Sequence, residues 1–419
     1  MIWIWSGFIL FVLALLALDL GVFNRKAHVI GVREALKWSA FWIALGVLFS
    51  GFVYFGYQHH WLGLGLNADG TVRADPIDGV PLQGHSATVK YLTGYVIEKS
   101  LSVDNIFVIA LIFAYFGVPA MYQHRVLFWG ILGALVMRGA MIWLGSELIN
   151  RYHWIIWVFG GFLIITGIRM LFMSGEHGDP ANNPVLKLTR QFFPVTDQYH
   201  GQHFVVRAGS NWSHEAATPG EQVKRDDAVE RAKPGTLMLT PLMLALILVE
   251  TTDLIFAVDS IPAIFAITGD PFLVYTSNVF AILGLRSLYF ALAGMIDQFR
   301  YLKAALAIVL TVVGVKMLTA KWLKEMFGAN FNFYLLGLIF LILATGVVAS
   351  LLANRRDARR GGGGEGPHDP NDPHHKRAGD PVRPVDPAAT IGASSADPRT
   401  IEASDRDAAA NAPKPRQIV

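Results

Sequence analysis

Apolar runs of about twenty residues recur along this chain, and nothing else constrains its fold as strongly. A helix of about 20 apolar residues crosses the hydrocarbon core of a bilayer. Inside that core each segment must satisfy its own backbone hydrogen bonds, so such runs have to be helices. They fall at 2–18, 37–57, 88–115, 125–149, 153–173, 237–266, 272–296, 302–319 and 333–353. The expectation is an all-α polytopic membrane protein with about nine transmembrane helices. Composition agrees: 53% of residues are hydrophobic and 16% charged, where a soluble domain carries about 25% charged. A net charge of +3 spread along the chain leaves no footprint for nucleic acid. The absence of cysteine excludes disulfides, thiolate metal sites and cysteine nucleophiles, so any metal must be held by oxygen or imidazole.

Charge asymmetry orients the spans. The first run lacks the basic start of a signal peptide and is followed by Arg25, Lys26, Arg33 and Lys37, so it reads as a retained helix with its N-terminus outside. Counting from there, the cytoplasmic segments collect most Lys and Arg, including Arg125, Lys187, Arg190, Arg207, Lys224, Arg225, Arg300 and Arg355. That bias predicts an N-out, C-in topology. The transmembrane domain is then 1–353. Residues 354–419, rich in Gly, Pro and Asp, read as a disordered cytoplasmic tail. The 174–236 loop is cytoplasmic and carries one β-like run, His203-Phe-Val-Val-Arg207, as a small hairpin or a linker.

The chain repeats itself. Glu98-Lys-Ser-Leu-Ser-Val-Asp104-Asn-Ile matches Asp253-Leu-Ile-Phe-Ala-Val-Asp259-Ser-Ile, Leu135-Val-Met-Arg138 matches Leu283-Gly-Leu-Arg286, and Thr166-Gly-Ile-Arg169 matches Val313-Gly-Val-Lys316. Three pairs in one order define repeat A at about 88–173 and repeat B at about 237–319. Each holds three helices, an odd number, so the copies insert with opposite orientation. This is the inverted-repeat plan of transporters, with a binding site at the interface near the midplane.

Charges inside a bilayer are costly and mark function. Asp19, Glu98, Asp104, Glu250, Asp253 and Asp259 face only two deep arginines, Arg138 and Arg286. The negative surplus points to a site for a cation or exchangeable protons, and the arginines read as counter-ions of the carboxylates when these are empty. Asn105, Ser260 and Asn278 supply polar support. Residues six apart on a helix differ by about 240° and about 9 Å, so Glu98 and Asp104 meet one small ion only if the helix bends. Pro262 is the stronger place for a bend and the Ser100–Ser102 stretch the weaker. Oxygen ligands without sulfur suit Mn²⁺, Mg²⁺ or Ca²⁺. The competing account of the same residues is a set of interhelical salt bridges. The histidines His368, His374 and His375 read as solvated tail. No phosphate-cradling loop and no hydrolase motif occurs, so neither an enzyme nor a resident cofactor is expected.

Thr93-Gly-Tyr-Val-Ile-Glu98-Lys-Ser-Leu-Ser-Val-Asp104-Asn-Ile-Phe, Leu248-Val-Glu250-Thr-Thr-Asp253-Leu-Ile-Phe-Ala-Val-Asp259-Ser-Ile-Pro262-Ala and Thr276-Ser-Asn278-Val-Phe-Ala-Ile-Leu-Gly-Leu-Arg286 resemble the TerC family of integral membrane proteins. The whole of 1–353 looks like the Alx branch of that family. The resemblance implies a bacterial inner-membrane protein, related to cation and amino-acid exporters and assigned Mn²⁺ efflux in some members. It also implies an acidic set at Glu98, Asp104, Glu250, Asp253 and Asp259, with Asp19 matching an acidic position in the first helix. Tellurium resistance, the family's historical label, is a phenotype without ligand chemistry in this sequence. The resulting expectation is a Mn²⁺ exporter that meets its cargo ion and the lipid bilayer and no nucleic acid, its oligomeric state left open. A membrane scaffold and an amino-acid exporter stand as alternatives.

Overall fold

The computed structural model describes residues 2–18, 31–172, 183–210, 226–292, 301–328 and 331–361. In chain order the helices are α1 (Ile2–Leu18), α2 (Val32–Gln58), α3 (Gly84–Phe116), α4 (Ala120–Arg151), α5 (Ile155–Phe172), α6 (Pro184–Phe192), α7 (Asp227–Arg231), α8 (Pro241–Phe265), α9 (Pro271–Leu283), α10 (Leu285–Leu292), α11 (Leu302–Phe327) and α12 (Phe331–Gly361). Each of the nine apolar runs contains a helix among the described residues. Seven segments among the described residues are long and apolar enough to cross a membrane: α2, α4, α5, α8, α9 with α10, α11 and α12. Of the nine spans expected, α1 has only 17 residues. The 33-residue α3 is long enough but carries Lys90, Glu98, Lys99 and Asp104. Leu48, Val136, Trp143, Phe172 and Phe340 stand exposed on the outside of the bundle, as side chains facing lipid would.

Local chemistry sets the ends. Thr240 caps α8 through its hydroxyl, and Asp270 caps α9 by accepting from the backbone of Phe272 and Leu273; Pro follows each cap at the first helical position, where its missing N–H costs nothing. The expected start of the sixth span at residue 237 is corrected. Leu237–Leu239 forms a strand, β2, antiparallel to β1 (Val205–Arg207), so the β-like run finds its partner at the doorstep of α8. The seventh span divides at Gly284 into α9 and α10. The last helix passes residue 353 and ends at Gly361; the rest of the expected tail lies outside the described residues.

Glycine contacts show how neighbouring helices run. Along α5 and α11, Gly160 lies against Leu318, Gly314 against Ile164, and Gly167 against Thr311, so the two helices run antiparallel. The glycines let the backbones approach closely; a Cβ on Gly167 would stand 2.7 Å from the carbonyl of Ala307. Between α3 and α8, Gly94 meets Ile264 while Glu98 and Asp253 share one partner, again antiparallel. Between α4 and α9, Arg138 meets Asn278 and Gly139 meets Tyr275, antiparallel once more. Helices that are not counterparts, α4 and α8, run parallel, with Gly130 at Val249, Gly133 at Glu250 and Gly145 at Phe265. α3, α4 and α5 thus each run antiparallel to the helix whose sequence motif they match. α1 and α2 pack outside this six-helix centre: Trp5 and Phe8 meet Phe272 edge to face, and Phe49 lies tilted against Phe280.

One end of the bundle is closed by a cap, residues 59–83. Its Asp75 accepts from the Thr268 hydroxyl and the Gly269 N–H in the turn between α8 and α9. Fully buried Lys90 of α3 donates to Asp75 at 2.9 Å and Asp78 at 2.8 Å. Asn332 of α12 reaches Asp78 at 2.8 Å, and Arg73 pairs with Asp270. At the other end Tyr199 donates to the carbonyl of Phe116, which places residues 183–210 there, with 226–240 joined to them through the β1–β2 pair.

Candidate functional site

The longest buried side chain at the centre is Arg138, 1% exposed. It extends from α4 into the crossing of α3, α8 and α9. Its Nη2 donates to Asp253 Oδ1 at 2.8 Å and its Nε to Asp253 Oδ2 at 3.1 Å. Nη1 donates to Glu98, and lies 3.4 Å from Ser260 Oγ and 3.3 Å from Asn278 Oδ1. Five residues singled out in the sequence therefore converge: Glu98, Arg138, Asp253, Ser260 and Asn278. Every acceptor in this set is a hard oxygen, and the two carboxylates come from opposite halves of the repeat.

Glu250 sits one turn before Asp253, half-buried. Its carboxyl fills a notch in α4 that exists because residue 133 is glycine; a Cβ there would stand 2.0 Å from Oε1. Oε2 is buried with no hydrogen-bond partner among the described residues.

The second carboxylates stand apart. Asp104 and Asp259 lie six residues beyond Glu98 and Asp253, about 9 Å along their helices. Asp259 turns to α5, where Thr166 donates to it at 3.3 Å, and Asp104 is half-buried on α3. α3 and α8 each run as one helix past these positions, so no break in either helix joins the two carboxylates it carries. Ser100 spends its hydroxyl on the Val96 carbonyl within α3. Pro262 lies inside α8, three residues before its end, and its missing N–H leaves the Val258 carbonyl without that helical donor. Among the described residues no three carboxylates or histidines gather into a metal-holding group. Asp19 lies outside the described residues.

Arg286, 4% exposed, lines a small cavity of about 20 Å³ together with Asn105, Gly130, Thr252 and Asp253. The third basic pair diverges: Arg169 is exposed on α5, whereas Lys316 is buried and donates to the Ala266 carbonyl at 2.6 Å.

Sequence reasoning missed the cap. Asp75, Asp78 and Asp270 took no part in the sequence reading and Lys90 entered it only as an outside charge, yet all four are 5% exposed or less. The signal was a lysine inside an otherwise apolar helix start, twelve residues after Asp78.

A family model described as the integral membrane protein TerC family matches residues 83–358, from the start of α3 to the end of α12. This chain belongs to the TerC family. The match spans both repeats and every residue of the Arg138 group. A membrane protein of Myxococcus xanthus is 42% identical over 352 residues, 84% of this chain and 93% of that protein. A protein of Escherichia coli whose name describes it as a membrane-bound redox modulator, Alx, is 40% identical over 361 residues, 86% of this chain and 98% of its own length. A membrane protein of Rickettsia bellii is 36% identical over 313 residues, 75% of this chain and 87% of its own. No solved structure matches the chain.

Proposed function

We propose that this member of the family is a secondary transporter of the bacterial inner membrane that exports a divalent cation, foremost Mn²⁺, from the cytoplasm in exchange for protons. One observation carries the reading. The Arg138 guanidinium holds the buried carboxylate of Glu98 and the part-buried one of Asp253, with further oxygens of Ser260 and Asn278 around it. Buried carboxylates demand a positive partner. A divalent cation that supplies that charge to the same hard oxygens can displace a tethered arginine, and protons can replace the cation in turn. Asp104 and Asp259 would pass the ion to and from this centre along α3 and α8, with Glu250 beside it.

The orientation follows the charge bias: the basic 183–240 end faces the cytoplasm and the cap faces outside. A thiol-based redox role is closed to this chain because it contains no cysteine, so a redox effect would come through the cell's metal content. A membrane scaffold is the competing reading, favoured by the way Arg138 ties four helices together.

Purified protein in liposomes decides the matter. Mn²⁺, Mg²⁺ and Ca²⁺ are supplied on one side, a pH gradient is imposed and the membrane potential is clamped. The expected result is Mn²⁺ movement that follows the proton gradient. Failure to move any divalent ion would overturn the transporter; movement indifferent to pH would overturn the exchange.

A further inference from the structure

The short helix α6 takes no part in the Arg138 group. Asn183 caps it by accepting from the Val185 N–H, and Pro184 follows at the first helical position, so its start is fixed by its own sequence. α6 packs on α8. A groove of about 540 Å³ beside it is lined by Arg190 and Phe193, by Tyr115 and Phe116 at the end of α3, and by Pro241 and Leu244 in the first turn of α8. Because α8 is long and apolar enough to cross the bilayer, α6 lies at the level where that helix enters it.

At about 100° per residue, the side chains of α6 fall into three arcs. Val185, Leu186 and Thr189 turn to the protein, and Leu186 is buried. Pro184, Leu188 and Phe192 form the adjoining arc and are exposed, Leu188 to 55% and Phe192 to 70%; Phe193, just past the helix, is 54% exposed. Lys187, Arg190 and Gln191 occupy the remaining arc. The apolar side of the helix is thus about twice as wide as the part that the protein covers. A polar arc with two cations borders it.

We infer that α6 is an interfacial helix that seats an anionic phospholipid of the adjacent leaflet. Leu188, Phe192 and Phe193 meet its acyl chains, and Lys187 and Arg190 meet its headgroup phosphate. Place and charge favour lipid over a partner protein. The open arc adjoins the covered one at the end of a membrane-crossing helix, where acyl chains are at hand, and an amphipathic helix there buries its apolar face about 5–10 Å into the headgroup boundary. Exposed Tyr115 adds the ring with a polar tip that suits this depth. α6 carries two cations and no acidic residue. Even with Asp197 in the groove wall the seat keeps a net positive charge, which selects an anionic headgroup over a zwitterionic one. The seat stands whether or not the protein moves an ion.

The test uses the full cysteine-free chain with Leu188→Cys or Gln191→Cys introduced singly, labelled with an environment-sensitive fluorophore and placed at about one copy per vesicle. The vesicles are phosphatidylcholine mixed with an equal part of phosphatidylglycerol, and either lipid carries a spin label on its acyl chain. The label at 188 should be quenched by spin-labelled lipid and shielded from iodide in the water; the label at 191 should show the reverse. A cation at an anionic surface is worth about a fivefold preference, so spin-labelled phosphatidylglycerol should quench position 188 severalfold more than spin-labelled phosphatidylcholine. Lys187→Gln with Arg190→Gln should bring that ratio to about one. Where the double variant does not insert, high salt on the parent chain should lower the ratio in the same way. Iodide quenching at 188 as strong as at 191 overturns the interfacial helix. Shielding from iodide without quenching by lipid overturns it in favour of a protein contact. Equal quenching by the two lipids overturns the anionic seat.

Discussion

Arg138 of α4 grips Asp253 of α8 with two parallel hydrogen bonds, Nη2 to Oδ1 at 2.8 Å and Nε to Oδ2 at 3.1 Å. Such a fork depends on the planar guanidinium. Arg138→Gln would strand the buried carboxylate of Glu98 and the part-buried one of Asp253, a loss of about 3–5 kcal/mol for a broken buried pair, and the yield of folded protein extracted from membranes should fall. Arg138→Lys should rescue little, since a point charge cannot fork. Adding Asp253→Asn to Arg138→Gln should recover part of the yield, because one stranded charge is gone. Wild-type yield from Arg138→Gln alone would show that the group does not hold the helices.

The outlying carboxylates separate transport from stability. Asp259 is held by one long hydrogen bond from Thr166, so Asp259→Asn keeps the shape and removes the charge. Asp259→Asn and Asp104→Asn should each abolish Mn²⁺ efflux from cells while the protein accumulates normally. Normal export by either well-expressed variant would remove that residue from the path.

Gly133 offers a subtler probe. A methyl group there collides with the end of the flexible Glu250 side chain, at 2.0–2.5 Å, not with backbone. Gly133→Ala should therefore fold and insert but turn Glu250 aside, lowering export severalfold. In a Glu250→Ala background the same substitution should change nothing further. An additive effect would show that Gly133 acts by some route other than Glu250.

The cap predicts an acid limit. Burial pushes the Asp78 carboxyl up, but the ammonium groups of Lys90 and Lys316 outweigh it and hold it below the ordinary aspartate value of 3.8. Asp78 binds protons less readily folded than unfolded, so its contribution is whole above that value and fades as pH falls through the lower folded one. Asp226, at the opposite end, is also lowered: burial raises it, but backbone N–H groups of Gln198 and Val229 prevail. The thermal midpoint should be level from pH 7 to about 5 and fall below about 4. Asp78→Asn should have a lower midpoint at neutral pH and a shallower acid decline. An identical decline in both would place the acid sensitivity elsewhere.

The helices were legible because apolar length and backbone satisfaction leave a bilayer-spanning segment no other form. Repeat motifs were equally legible, and they led to Glu98, Arg138 and Asp253 before any geometry was known. Which carboxylates meet was not. Glu98 and Asp104 have the same type of side chain in the same helix, and only the seating of Arg138 between α3 and α8 sets the first apart. The cap escaped notice because Asp75, Asp78 and Lys90 owe their burial to partners far along the chain, Thr268 and Asn332. Leu237–Leu239 looked like the start of a span because an apolar triplet reads alike in strand and helix; Val205–Arg207 as its partner decided otherwise.

The seam between α5 and α11 has the form of a joint between two copies of one molecule. Gly167 beside Thr311 is the image of Gly314 beside Ile164, a surface meeting itself as in a symmetric dimer. An ancestral half with that surface could have paired with a second copy lying upside down in the membrane. Joining the halves into one chain released the two sides from identity: a change such as Ile to Thr then occurs once instead of twice, and an asparagine can arise opposite a glycine. What began as a symmetric pair can in this way acquire a preferred direction.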